Sequence, residues 1–137
     1  MRFWDSSALV PLITVEATSA RAEELLAEDP VVAAWWATPV ECVSAIVQKG
    51  QDEPVTERAV SELTEFAATW TEVPPSERLR KRAIRCVRVH GLRAGDAFQL
   101  AAALVASENR PETLELVTLD SRLALAASRE GFPVLSA

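Results

Sequence analysis

The sequence is short of the residues that build most zinc and redox sites. Its 137 residues include one histidine and two cysteines, and Cys42 and Cys86 stand far apart with no CxxC pair and no His-rich companion. That excludes a zinc site and a disulfide framework, and leaves both thiols as small core residues of a protein in a reducing compartment. Long hydrophobic runs are missing as well. The longest, Leu100 to Ala106, falls far below the ~20 residues of a membrane span, and the first ten residues, interrupted by Asp5, carry no secretory h-region. No internal repeat, low-complexity tract or linker-like stretch breaks the chain. These absences predict one domain over residues 1–137, cytoplasmic and without a membrane partner.

What is present suits a folded α/β protein. A hydrophobic fraction of 49% and a charged fraction of 25% are ordinary for a soluble domain. A net charge of −6 argues against a nucleic-acid partner, because phosphate binding draws on basic side chains. The distribution argues the other way: seven of the 14 Lys and Arg residues lie between Arg78 and Arg93, a window without a single acid.

Short apolar runs alternate with helical patterns. Strands are predicted over 2–4, 31–35, "LELVTL" and "PVL". Between them, helices are predicted over 6–13, 19–28, 55–70 and 76–89, within "GLRAGDAFQLAAALVASEN" and over "DSRLALAASREG". In "TPVECVSAIVQKG", Thr38 reads as an N-cap with Pro39 at the first helical position and Glu41 completing a capping box, and Gly50 ends the helix. Apolar Ala59, Leu63, Phe66 and Trp70 recur at helical spacing. The alternation implies a parallel sheet, whose ligands bind beyond the carboxyl ends of its strands.

Asp5 and Asp120 each follow directly on a predicted strand, and Glu41 and Asp96 stand where helices begin. Singly, each has a structural explanation: Asp5 and Asp120 as N-caps, Glu41 in its capping box, Asp96 at the positive end of a helix dipole. Together they are carboxylates brought toward one sheet edge. Closely packed, they raise one another's pKa values unless a counter-charge intervenes, and an all-oxygen donor set favours Mg²⁺ or Mn²⁺. A divalent ion so held can activate water for in-line phosphoryl displacement.

"FWDSSALV", "TPVECVSAI", "GLRAGDAFQLAAAL" and "VTLDSRLALAASREGFPVL", in this order and spacing, resemble the PIN domain, and specifically the VapC-type toxin ribonucleases of toxin–antitoxin pairs. The resemblance implies a three-layer α/β/α sandwich with a short central parallel sheet and a metal-dependent endoribonuclease. By motif, Asp5, Glu41, Asp96 and Asp120 are the acidic centre, with Asp5, Asp96 and Asp120 as metal ligands for Mg²⁺ or Mn²⁺. Ser6 and Thr118 match hydroxyl positions that orient the carboxylates. The partners implied are RNA, a cognate antitoxin and a second copy in a homodimer. One position departs from the pattern: many relatives carry His where this chain has Gln99, so no histidine base is available there and the metal must activate the water.

Placed at about 100° per residue, Arg78, Lys81, Arg82, Arg85 and Arg88 share an arc of roughly 120°, opposite Leu79, Ala83, Cys86 and Val87. With Arg93 they form either a solvated face, a track for an RNA backbone or a dock for an acidic antitoxin segment. His90 reads as a solvated or C-capping residue. Trp4 and Trp70 fit core positions; Trp35 and Trp36, adjacent on a strand, cannot both point inward. Two rivals stand beside the nuclease: a receiver-like Mg²⁺-binding signalling module, which lacks its usual C-terminal switch lysine here, and a catalytically silent PIN scaffold.

Overall fold

The computed structural model describes residues 1–136. Five parallel strands form one sheet: β1 (Arg2–Trp4), β2 (Val32–Trp35), β3 (Thr71–Val73), β4 (Leu116–Val117) and β5 (Val134–Leu135), in the order β3-β2-β1-β4-β5. Seven α-helices connect and cover them: α1 (Ser6–Leu9), α2 (Ser19–Glu28), α3 (Thr38–Gln48), α4 (Glu53–Ala67), α5 (Glu77–His90), α6 (Ala94–Ala106) and α7 (Ser121–Glu130).

The strand alternation sorts the side chains into two cores. Phe3, Ala33, Trp35 and Leu116 face α5, α6 and α7, whereas Trp4, Val32, Ala34 and Val117 face α1 to α4. The result is the expected three-layer α/β/α sandwich. Because both faces are covered, the strands read as continuous apolar runs instead of alternating ones. Helix α6 is the most buried helix, with Ala97 and Gln99 to Leu104 all inside. Its alanines let it lie close to the sheet, and each leucine-sized side chain so buried contributes ~1.5–3 kcal/mol. At the amino end of β1, buried Arg2 donates to Leu25 O at 2.8 Å and pairs with Glu28 and Glu115, both at 3.1 Å.

Several elements differ from their sequence expectations, each for a local reason. The helix expected over 6–13 stops at Leu9 and tightens into a 3₁₀ turn at Val10–Leu12, where Pro11 has no N–H to give. The helix expected to reach Trp70 ends at Ala67. Trp70 instead folds into the core against Phe66, with ring centroids 5.4 Å apart at 82°. That frees Thr71–Val73 to become β3, an edge strand with two exposed residues and hence no apolar signature. Val87 and Ile84 are exposed, so α5 packs through Leu79, Ala83 and Cys86 alone. Both cysteines are buried and free, and burial pushes their thiols up to about 12 for Cys42 and about 11 for Cys86. Among the described residues no helix is long and apolar enough to cross a membrane.

His90 is neither solvated nor a cap. Gly91, at φ 66°, closes α5 in the left-handed conformation glycine tolerates, and the His90 side chain, 5% exposed, meets Glu130 Oε2 at 2.6 Å. Arg85 Nη1 reaches the other oxygen of the same carboxylate at 3.1 Å. Burial pushes the Glu130 carboxyl up, but the Arg85 and His90 hydrogen bonds outweigh it and hold the group below the usual glutamate range. A depressed carboxylate stabilises the fold above its unfolded pKa of about 4.3 and loses that contribution as pH falls through the folded value. Glu130→Gln is therefore expected to cost about 1–2 kcal/mol in urea unfolding at pH 7, with the difference from wild type shrinking steadily below about pH 4.

Candidate active site

The chain runs from β1 outward through β2 to β3, then crosses back to place β4 on the other side of β1. The strand order therefore reverses between β1 and β4, and a crevice opens at the carboxyl ends of such a pair. Asp5 leaves β1 there and Thr118 to Asp120 leave β4 there. Glu41 comes from the first turn of α3 and Asp96 from the first turn of α6.

Asp5 is the most firmly held. It caps α1, with Oδ1 accepting the Ser7 N–H at 2.7 Å and Oδ2 accepting the Ser7 hydroxyl at 2.9 Å and the Thr118 hydroxyl. Thr118 Oγ1 also accepts the Asp120 N–H at 3.0 Å, and Ser7 Oγ accepts the Leu119 N–H at 2.9 Å. Two hydroxyls thus stitch the exit of β4 to the start of α1. The role of Ser7 was not expected from sequence, although a serine two residues after an aspartate cap is the signal that could have found it. Asp120 caps α7 through Oδ1 and the Leu123 N–H at 2.8 Å.

Glu41 does not close a capping box. Ala37, not Thr38, is the N-cap of α3, so Thr38 lies inside the helix and Glu41 turns toward the crevice. The Ser6 hydroxyl lies 3.1 Å from Glu41 Oε2 and 3.3 Å from Asp5 Oδ1, one proton serving two acceptors. Buried Gln99 donates through Nε2 to Glu41 Oε1 and to Thr38 Oγ1, both at 3.1 Å, which leaves its own Oε1 without a partner among the described residues. Asp96, half-buried, has no hydrogen-bond or ion-pair partner among the described residues.

Asp5, Glu41 and Asp96 each lie in the field of neighbouring acids. Burial raises the Asp5 carboxyl, with Asp120 adding to the push against the Thr118 and Ser7 hydrogen bonds. Burial likewise raises Glu41, helped by Asp5 and Asp96 and opposed by Gln99 and Ser6. Asp96 is raised by burial, then by Asp120 and Asp5, with Arg93 and Arg122 pulling the other way. None of the four has a Lys or Arg within ion-pair distance among the described residues. Nor do any three Asp, Glu, His or Cys side chains there reach metal-ligating proximity. Asp5, Glu41 and Asp120 are each held by hydroxyl or amide partners, and like charges keep their distance.

As a donor set the acids suit a hard divalent cation: oxygen only, partly desolvated and lacking basic partners. Arg122, exposed in the first turn of α7, is a basic neighbour that sequence reasoning passed over, since it stands apart from the Arg78 to Arg93 window.

Residues 2–128 match the family model of the PIN domain. The chain belongs to the PIN domain family. Its sheet order also differs from the receiver order 2-1-3-4-5, which with the family match removes the signalling-module reading. Among solved structures, this PIN domain is similar to a toxin–antitoxin complex from Klebsiella pneumoniae, at 19% identity and a TM-score of 0.70 over 98% of this chain and 96% of that one. It is also similar to VapC20 of Mycobacterium tuberculosis, a sarcin–ricin loop cleaving toxin, at 18% identity and a TM-score of 0.72 over 96% of each chain. FitAcB from Neisseria gonorrhoeae resembles it at 16% identity and a TM-score of 0.65, over 98% of this chain and 96% of that one. No curated protein matches the sequence.

The expected basic face is partly committed elsewhere. Arg82 Nη1 donates to Asn109 Oδ1 and Arg85 is tied to Glu130. Arg78, Lys81, Arg88 and Arg93 are exposed, with no ion pair among the described residues. Trp35 ends β2 buried and Trp36, in the turn just past the strand, is exposed, while Trp4 and Trp70 lie in the core.

Proposed function

We propose that this PIN domain is a divalent-metal-dependent endoribonuclease, the toxin half of a toxin–antitoxin pair. The observation that carries the reading is that Asp5, Glu41, Asp96 and Asp120 border one crevice at the carboxyl ends of the strands, where burial first and neighbouring acids second raise the carboxyls of Asp5, Glu41 and Asp96. Asp5, Asp96 and Asp120 would hold Mg²⁺ or Mn²⁺. When bound, the ion supplies Lewis-acid stabilisation and an activated water for phosphodiester hydrolysis.

The remaining work belongs to the chain's own groups. Ser7 and Thr118 fix the Asp5 carboxylate in one orientation. Ser6 and Gln99 hold Glu41 beside it. An amide at position 99 cannot take a proton, so the proton leaving the attacking water goes to a carboxylate, and Glu41, its pKa raised, is the group suited to receive it. Water oxygen bonds to phosphorus as one ester P–O bond breaks, and the departing ribose oxygen leaves as a hydroxyl, taking its proton from solvent water. Arg93 and Arg122, both bearing on Asp96, are placed to hold flanking phosphates.

Similarity to a toxin–antitoxin complex supports an antitoxin as partner, and a second copy of the chain is proposed beside it. The direct test is incubation of the purified full chain with RNA. Cleavage is expected with Mg²⁺ or Mn²⁺, abolished by EDTA and restored by Mn²⁺. Because no three donors already stand at ligating proximity, a silent scaffold is the competing reading; RNA binding without cleavage at any Mn²⁺ concentration would establish it.

A further inference from the structure

Beyond the carboxyl ends of β2 and β3, an open cavity of about 410 Å³ lies between β2 and the start of α5, lined by Trp35, Trp36, Pro75, Leu79, Arg80 and Phe98 among others. Its wall is an aromatic assembly. Trp35 stacks on Phe98 with centroids 5.4 Å apart and planes 4° apart, and Trp36 meets Trp35 edge-on at 6.3 Å and 67°. Trp35 already closes the core here. Trp36 is 56% exposed, yet its backbone is held, because its main-chain N–H donates to Val73 O at 3.1 Å and extends the β2–β3 pairing.

Two short covalent links join this wall to the acidic centre. The residue after Trp36, Ala37, is the N-cap of α3, which carries Glu41, and Phe98 lies two residues beyond Asp96 in α6. Cavity and carboxylates therefore occupy the same edge of the sheet. The charges lining the cavity, Glu77 and Arg80, form an ion pair with each other, so the space suits a flat, uncharged, π-rich group. Immediately along α5, Arg78 and Lys81 are exposed and have no carboxylate partner among the described residues. An aromatic platform beside free cations is the arrangement that binds single-stranded nucleic acid, the rings taking bases and the cations the backbone. An apolar peptide side chain would use the cavity but not the cations.

We infer that this cavity holds one unpaired nucleobase of the RNA, stacked on Trp36, while the acidic centre acts on a nearby phosphate; this rests on the ribonuclease reading above. The site makes the enzyme selective for RNA that is unpaired at a set position relative to the cut. It also gives the exposed cations of α5 a function, as the backbone contacts on either side of that base.

The test is titration of full-length protein carrying Asp96→Asn, so that the strand survives, with a single-stranded oligoribonucleotide. Tryptophan emission is followed, and the same strand with abasic positions serves as control. Expected results are quenching by the intact strand, affinity weakened roughly tenfold or more by Trp36→Ala, the size of one lost base stack, and most of it restored by Trp36→Phe. Affinities for Trp36→Ala and the parent that agree within twofold, or equal binding of intact and abasic strands, overturn the assignment and leave a protein segment as the occupant. Failure of the parent enzyme, without Asp96→Asn, to cleave RNA with Mn²⁺ overturns the ribonuclease reading instead, and the base site with it.

Discussion

Asp96→Asn is expected to lower RNA cleavage by at least about a hundredfold, the usual cost of removing one electrostatic element from a catalytic centre, without lowering the melting temperature. The two halves of this expectation have different causes. The carboxylate has no hydrogen bond to lose among the described residues, and it stands in the field of Asp5 and Asp120. Neutralising it relieves repulsion in the fold while removing one of the proposed metal ligands. The pH dependence follows by sign. A carboxyl raised above its unfolded pKa destabilises the fold only where it is charged, so the variant's advantage should be absent at low pH and emerge as pH rises through the folded value. Thermal melts at pH 4 and pH 7.5, beside a cleavage assay, check both halves. Lower stability at pH 7.5 would show that Asp96 has a structural partner instead of a catalytic purpose.

Thr118→Val should damage both stability and activity, in contrast to Asp96→Asn. Valine keeps the shape but deletes a buried hydroxyl that donates to Asp5 and accepts the Asp120 N–H. Leaving those partners unsatisfied costs about 1–3 kcal/mol, a drop of several degrees in melting temperature for a domain of this size. Because that hydroxyl opposes the upward shift of Asp5, its loss raises the Asp5 pKa further. The acid limb of the cleavage profile should move to higher pH, and Mn²⁺ affinity should fall by ~10–100-fold, the effect of losing a hydrogen bond that orients a ligand. Thr118→Ser, which retains the hydroxyl, should recover most of both. Isothermal titration with Mn²⁺ and a pH–rate series separate these outcomes from simple loss of fold.

Much of this architecture was legible in the sequence because its signals are local. The caps at Asp5 and Asp120 form as their side chains require, and Gly50, Gly91 and Gly131 follow helix ends. Apolar runs at 2–4 and 31–35 became the doubly covered strands Arg2–Trp4 and Val32–Trp35. What escaped was β3, whose Thr71 and Glu72 face solvent and whose only signal is pairing with Ala33, Ala34 and Trp35. The capping box at Thr38 was a sound local pattern, but contacts from Gln99 and Ser6 hold Glu41 in the crevice. The basic stripe on α5 was correct in periodicity and incomplete in meaning. Arg82 and Arg85 are taken by Asn109 and Glu130, which come from later in the chain.

The sequence by itself determined the layering of this PIN domain, because side-chain periods of 2 and 3.6 decide which face each element must bury. It also determined that strand exits and helix starts would carry acids. Only the tertiary structure decided that these acids share one electrostatic field, which hydroxyls orient them, and that Trp36 opens onto a cavity beside them. Coulombic coupling and hydrogen bonding depend on distance through space, and Asp5 and Thr118, bonded here, lie 113 residues apart in the chain.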